Sequence, residues 1–353
     1  MGQSQPLYGF EFKVSLLIPI RNEAKRLPAL ILNLQKIQYQ NLEIIFIDDQ
    51  SEDDSVKVLR ELLGANPFFR IYSSNGVGKK AALQMGVSKA SGEILVSTDA
   101  DCDFHPNWLQ TLIRPFENST VQLVAGPVLV RSTNSFLAFF QLLDWASIQL
   151  ITGVSFARKS PLMCSGANLA FRKQAFEAVQ GYLGNEQWLS GDDEFLLKKI
   201  VHHYGPESTK YLPSKKSLVL TEPEKTWRTL YNQRVRWAGK WKAHQSFTHA
   251  ASAFLILVLQ LIWLASLSLI FWQSWGLMWV MLIWCLKVFA EFFALGSVAR
   301  FFGFSPPFWA YLMTSLWHPW YAIFTGIGAF RGNYRWKGRR IQGNVNFGNH
   351  GND

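Results

Sequence analysis

The sequence predicts an α/β domain built on a mostly parallel sheet, followed by hydrophobic helices of membrane type. Short apolar, β-rich runs alternate with helical stretches from Phe12 to about Leu220, the pattern of strands covered on both faces. Two of those runs close on acids, Asp48-Asp49 and Asp99-Ala-Asp101, at the strand ends where ligands of such sheets gather. From Ala251 onward three long, nearly uncharged segments follow one another, and 12 of the 15 Trp lie at or after Trp227. The two ends of the chain therefore face different solvents.

The strand-like runs are Val14–Ile20, Leu42–Ile47, Phe68–Tyr72, Glu93–Thr98 and Val121–Val130. Helical spacing is seen near Leu27–Ile37, Ser55–Leu63, Gly78–Lys89 and Asn107–Glu117, and again over Glu194–His203. Ser135–Ala157 is apolar but carries Asp144, Gln141 and Gln149. It reads either as an amphipathic helix at a membrane surface or acceptor cleft, or as an ordinary domain helix. Ala251–Trp272 has 22 residues without a charge, enough to cross a hydrocarbon core of about 30 Å. Trp275–Val298 contains Lys287 and Glu291, one helical turn apart and able to neutralise each other. Phe301–Phe330 is uncharged but interrupted by Pro306, Pro307 and Pro319, and a basic run from Arg331 to Arg340 follows. The predicted organisation is a domain over 1–225, an amphipathic interface helix in 226–250, a membrane region over 251–330 and a basic cytoplasmic tail over 331–353.

A formal net charge of +10 fits an anionic partner, phosphate groups or acidic lipids. Nucleic acid is not expected, because the basic residues form no nucleic-acid module and cluster beside apolar segments. Cys102, Cys164 and Cys285 are far apart and lack CxxC or Cys/His spacing, so neither a disulfide framework nor a zinc site follows. The first apolar run, Val14–Ile20, has the length of a strand and not of a secretory h-region.

Each chemical motif is modest alone. Asp48 and Asp49 end a strand before a capping stretch, where a carboxylate can meet a nucleobase nitrogen or ribose hydroxyls or act only as a cap. Gly78-Lys79-Lys80 opens a helix with two ammonium groups suited to a diphosphate, or simply solvated. Asp99 and Asp101, two apart at a strand terminus, can reach one Mg²⁺ or Mn²⁺ ion, whose remaining sites suit phosphate and water. Asp103 nearby reads as structural. Asp192-Asp193-Glu194 begins a helix, fitting either a general base within reach of an acceptor hydroxyl or acids favoured by the helix dipole. Gln233, Arg236 and Trp237 share one helical face, with a guanidinium able to grip a diphosphate and an indole able to close over a sugar.

Taken together and in this order, these motifs resemble the GT-A fold glycosyltransferases of family 2. The resemblance runs from Ile18-Pro-Ile-Arg-Asn-Glu23 to Trp237, about two thirds of the chain, and includes Ser165-Gly-Ala-Asn168. The QxxRW piece resembles the membrane-associated branch, in which the base motif reads Asp192-Asp193 here, with Asp in place of the usual Glu. The resemblance implies a nucleotide-sugar-binding, Rossmann-like domain and an inverting displacement. Asp193 would be the base beside Asp192, with Asp48, Asp49, Lys79, Lys80, Asp99, Gln233, Arg236 and Trp237 around the donor. Asp101 and Asp99 would hold the metal, and Gly166 and Asn168 would lie on the acceptor side.

Two acceptors compete, a lipid headgroup and a growing glycan. A polar tunnel must be walled on all sides by helices, and three segments are few for that. The tail Tyr334-Arg-Trp-Lys-Gly-Arg339 also resembles the ending of ceramide- and diacylglycerol-type glucosyltransferases, so a lipid acceptor is expected. Topology carries an internal conflict. A cytoplasmic domain, as in a bacterial inner-membrane enzyme, and a tail that the positive-inside rule assigns to the cytoplasm require an even number of crossings. Ala251–Trp272 and Trp275–Val298 are then expected as a hairpin. Phe308–Phe330 would lie re-entrant or in the interface, its Pro319 disfavouring a straight span, with the Trp336-Lys337-Gly338 tail brought toward the chemistry.

Overall fold

The computed structural model describes residues 12–64, 66–131, 133–185, 191–239, 247–271, 274–332, 334–336 and 339–341. The alternation expected from the sequence is present in β1 (Val14–Ile20), α1 (Leu27–Leu34), β2 (Leu42–Asp48), α2 (Ser55–Leu63), β3 (Phe69–Ser73), α3 (Lys79–Lys89) and β4 (Ile94–Ser97). Then come β5 (Cys102–Phe104), α4 (Trp108–Ile113), β6 (Leu123–Ala125), β7 (Val128–Val130), α5 (Phe136–Ala157), β8 (Leu169–Arg172), α6 (Lys173–Ala178), α7 (Asp192–Tyr204), β9 (Thr209–Tyr211) and β10 (Val219–Thr221). Two expected elements are broken by proline. Val121–Val130 forms two strands, because Pro127 has no N–H to donate to a ladder, and Pro115 turns the end of the helix expected over Asn107–Glu117 into a 3₁₀ turn.

Contacts divide the chain into two compact units. The first takes the described residues up to Val128 together with Thr152–Thr221, and the second takes Leu129–Ile151 with those from Glu222 on. The expected boundary at 225 put Leu129–Ile151 in the first domain. The structure assigns it to the second, where Phe140 meets Trp227 and Tyr321 edge-on at 5.0 and 4.9 Å and Asp144 pairs with Arg234.

The first unit holds a seven-stranded sheet in the order β3-β2-β1-β4-β8-β6-β9. β1, β2, β3 and β4 are parallel, and β6 and β9 are parallel, but β8 runs antiparallel to both β4 and β6. The sheet is therefore mixed. Pro19 survives in a central strand because the ladder with β4 ends at Leu17↔Ser97, before its missing N–H matters. Leu17, Ile45, Ala82, Leu83, Phe171, Phe176 and Leu196 are among the side chains closing the core.

The second unit adds α8 (Trp227–Ala238), α9 (Phe247–Ala265), α10 (Gly276–Phe301), α11 (Phe308–Arg331) and the short antiparallel pair β11 (Tyr334–Trp336) and β12 (Arg339–Ile341). α8 starts at a capping box between Thr226 and Thr229. It approaches α11 closely at Gly328, where a Cβ would lie 2.2 Å from the Tyr231 hydroxyl. Among the described residues, three helices are long and apolar enough to cross a membrane, Phe136–Ala157, Phe254–Phe271 and Gly276–Phe301. The first is 61% buried within the protein while the other two are only 6% and 22% buried. Side chains such as Phe254 and Phe293 point outward, as in helices that meet lipid.

α11 is one continuous 24-residue helix through Pro319. The proline leaves the carbonyl four residues back, that of Ser315, without its helical donor. Lys287 of α10 supplies one, its Nζ reaching the Ser315 carbonyl at 3.0 Å. The same ammonium pairs with Glu291 at 2.5 Å, and Glu291 accepts from the Ser315 hydroxyl. The i,i+4 pair foreseen in the sequence thus also repairs the proline break. Lys337 and Gly338 of the basic tail lie outside the described residues.

Candidate active site

The site is assembled where β4 ends. Ser97 and Thr98 donate their hydroxyls to the carbonyls of Gly166 and Ala167 at 2.8 and 2.9 Å, tying the 165–168 loop across the strand terminus. Asp99 follows, its Oδ1 2.6 Å from Nζ of Lys79, the first residue of α3. The same ammonium lies 3.6 Å from Oδ2 of Asp192, which opens α7. Asp193 beside it accepts the Gly166 N–H at 2.9 Å and the Glu194 N–H at 2.8 Å. A Cβ at Gly166 would sit 2.6 Å from Asp192 Oδ2, so a side chain there would have to displace that carboxylate. Sheet topology thus brings Lys79, Asp99, Gly166, Asp192 and Asp193 to one place from four separate segments.

Electrostatics keeps Lys79 charged. Burial pulls the Lys79 pKa down, but Asp192, Asp99 and Asp193 outweigh it and hold the ammonium above the ordinary lysine value. Cys102 is pushed up by burial and then by Asp101 and Asp99, so it is an inert thiol. Tyr182 is raised by burial and then by Asp192 and Asp193, and stays neutral.

Asp48 and Asp49 lie at the end of β2, both buried. Asp48 accepts the Ser51 N–H at 3.2 Å, while Asp49 accepts the Gly78 N–H at 2.7 Å and so fastens β2 to the start of α3. Arg21, which the sequence reading did not single out, is buried beneath this turn. It donates to the carbonyls of Asp49 and Gln50 at 2.7 and 2.5 Å and to Glu52 at 2.8 Å. Its position in Pro19-Ile-Arg-Asn-Glu23, just past a buried strand, was the available signal.

Two expected site residues are corrected. Lys80 is turned away from a phosphate role, because its Nζ donates to the Asn185 carbonyl at 2.6 Å and lies 4.5 Å from the Phe195 ring centre. Asn168 cannot face an acceptor. It is fully buried, its amide donating to the carbonyls of Pro127 and Ser217 at 2.8 and 2.7 Å and accepting from the Trp108 indole at 2.9 Å. Asp103 is held by Asn33 at 2.5 Å, the structural role expected of it.

Gln233, Arg236 and Trp237 lie on α8 in the second unit. There Gln233 donates to Glu224 at 3.0 Å and accepts from Arg234, while Trp237 packs edge-on against Trp145 at 5.2 Å. Arg234 is buried and ion-paired to Asp144 at 2.7 Å. The sequence reading passed over it, although an aspartate in an apolar helix calls for such a partner.

Asp99 and Asp101 are both half-buried at the strand end. Among the described residues no group of three or more His, Cys, Asp or Glu side chains could hold a metal ion. Two carboxylates nonetheless suit Mg²⁺ or Mn²⁺ when a diphosphate and water complete the shell. Asp99 and Asp101 fit a cation of this kind.

Residues 15–180 match the model of glycosyl transferase family 2. The chain is 38% identical over 95 residues to the 4,4'-diaponeurosporenoate glycosyltransferase of Staphylococcus haemolyticus, covering 26% of this chain and 25% of that protein. It is 26% identical over 232 residues to the poly-beta-1,6-N-acetyl-D-glucosamine synthase of Staphylococcus aureus, covering 64% and 53%. The chain thus spans between a quarter and about half the length of these curated relatives. A mannosyltransferase from Pyrobaculum calidifontis, solved with GDP-Man and Mn²⁺, superposes over 91% of this chain and 86% of its own with a TM-score of 0.54 at 18% identity. The fold is of the GT-A type, with C-terminal helices long and apolar enough for membrane association. The family 2 match covers just under half of the chain.

Proposed function

We propose that the chain is an inverting, metal-dependent family 2 glycosyltransferase that moves a hexosyl group from a UDP-linked sugar to a membrane lipid. The observation that supports this most is the convergence of Lys79, Asp99, Asp192 and Asp193 around Gly166. In this reading Asp193, oriented by two backbone N–H groups, accepts the proton of the acceptor hydroxyl as its oxygen attacks the anomeric carbon. The anomeric bond to the diphosphate breaks on the opposite side, and Lys79 neutralises the departing charge. Asp101 with Asp99 would hold Mg²⁺ or Mn²⁺, which adds charge stabilisation to the same leaving group. Asp48 and Asp49 serve the nucleoside, while Gln233, Arg236 and Trp237 keep the donor-binding roles that the resemblance gives them. Orientation and charge stabilisation supply most of the rate.

A lipid acceptor is favoured by the outward apolar faces of α9 and α10 and by the diaponeurosporenoate named for one relative. The longer match to a polysaccharide synthase supports a second reading, a glycan-extending subunit. Membranes incubated with labelled nucleotide sugars and Mn²⁺ separate the two, with label in the lipid extract for the first and in polymer for the second. The catalytic unit is cytoplasmic in this proposal, so sealed cells should not use added donor until permeabilised. Asp101→Asn and Asp193→Asn should each lower transfer by ~10²-fold or more, with donor binding surviving only in the latter. Transfer above about a tenth of wild type in either would count against the assignment.

A further inference from the structure

Within the second unit, one guanidinium has three tasks. Arg234 donates through Nε to Asp144 Oδ2 at 2.8 Å, and its Nη2 lies 2.7 Å from the same oxygen. Its Nη1 donates to the Gln233 side-chain oxygen. Its flat face lies 4.2 Å from the centre of the Trp237 ring, with the Trp145 ring 5.6 Å away. His318 of α11 stands 3.9 Å from the other Asp144 oxygen. The Arg234 and Asp144 side chains are only 7% and 12% exposed, so neither is presented to a substrate.

We propose that Arg234, clamped by Asp144, is a positioning residue that fixes Gln233 and Trp237 for transfer. The inference rests on the glycosyltransferase reading and adds a residue to it. A buried ion pair is a weak source of stability, because an apolar pair of similar volume often serves as well. Geometry is what this pair uniquely supplies. The planar fork can bind Asp144, reach Gln233 and stack on an indole at once, whereas an ammonium is a point charge that cannot do all three. Gln233 is held from its other end by Glu224 at 3.0 Å, so its amide has one orientation. Trp237 is held between the guanidinium and Trp145.

The test compares Arg234→Lys, Asp144→Glu and the apolar pair Asp144→Leu/Arg234→Met with wild type, as full-length protein in detergent. Trp237→Phe identifies that indole's share of the near-ultraviolet circular dichroism. In Arg234→Lys that share should disappear while the far-ultraviolet spectrum and thermal midpoint stay near wild type. Its kcat should fall by about 10²-fold, the scale of a displaced catalytic geometry, with a smaller change in donor KM. Asp144→Glu should recover much of both signals. If Arg234→Lys fails to fold, the apolar pair replaces it, and should remain folded without the Trp237 signal. An unchanged indole signal, or a lost signal with unchanged kcat, overturns the proposal. Were wild type to transfer no sugar from any donor, the glycosyltransferase reading would fail, and the spectra would still decide whether Arg234 orders Trp237.

Discussion

The two units bury charge in different ways. In the first, carboxylates sit at the ends of secondary-structure elements, where backbone N–H groups and one lysine compensate them while leaving an open side. Asp99, ion-paired to Lys79, still has 38% of its side chain exposed. In the second, Lys287 is 4% exposed and is enclosed by Glu291, Ser315 and the faces of Trp263 and Trp284. Nothing can enter there to use the charge. An ion pair at a strand end is chemistry in waiting, whereas one sealed among aromatic rings serves geometry.

The contrast is broken most severely at Lys287. Lys287→Met takes the counter-charge from Glu291, which keeps only the Ser315 hydroxyl, and the donor from the Ser315 carbonyl, and should cost about 3–5 kcal/mol, the usual result of halving a buried pair. Thermal unfolding in detergent reads the loss. Pro319→Ala restores the helical N–H for the Ser315 carbonyl, so adding it to Lys287→Met should recover part of the midpoint. No recovery would mean that the proline break is not what Lys287 repairs.

Gly166→Ala probes the open side. The new Cβ would press on Asp192 and, through it, on Lys79 and Asp99. Transfer should fall by about 10²-fold with a thermal midpoint close to wild type. A midpoint that falls with full activity retained would make Gly166 a packing residue only.

Glu43 sharpens the comparison from the structural side of the first unit. Burial would raise its pKa, but hydrogen bonds from Ser15 at 2.5 Å and Ser91 at 2.6 Å, with Arg70 at 3.4 Å, hold it below the ordinary 4.5. A depressed folded-state value stabilises the protein above the unfolded value, and the contribution is lost as pH falls through the folded one. Glu43→Gln should therefore cost about 1–2 kcal/mol near neutrality. Its denaturation midpoint should converge on wild type at pH values below 4.5. A gap independent of pH would assign the cost to shape and not to charge.

The βα alternation was legible because strands buried on both faces leave continuous apolar runs, as in Val14–Ile20 and Leu42–Asp48. β8 was not, since Leu169–Arg172 is four residues long and its direction depends on partners far along the chain. Asp99 and Asp193 could be picked out by their positions at a strand end and a helix start, but their meeting through Gly166 and Lys79 is a product of topology. Asn168 was expected on the acceptor side by resemblance alone, and only the fold reveals its three internal partners. Pro319 was given its proper local effect on the helix. The compensating donor, Lys287, was visible too, but its reach to another helix was not.

The Asn168 amide has a bearing on how the chain is made. Its partners stand at 108, 127 and 217, so the last of them does not exist until synthesis has passed Ser217. β1 to β4 can pair as soon as they emerge, but β4 then waits for β8, more than 70 residues later, to cover its free edge. During that interval the nascent protein carries an unpaired strand ending in its own acidic pair. A flank of Asp99, Asp101 and Asp103 is a poor template for edge-to-edge association.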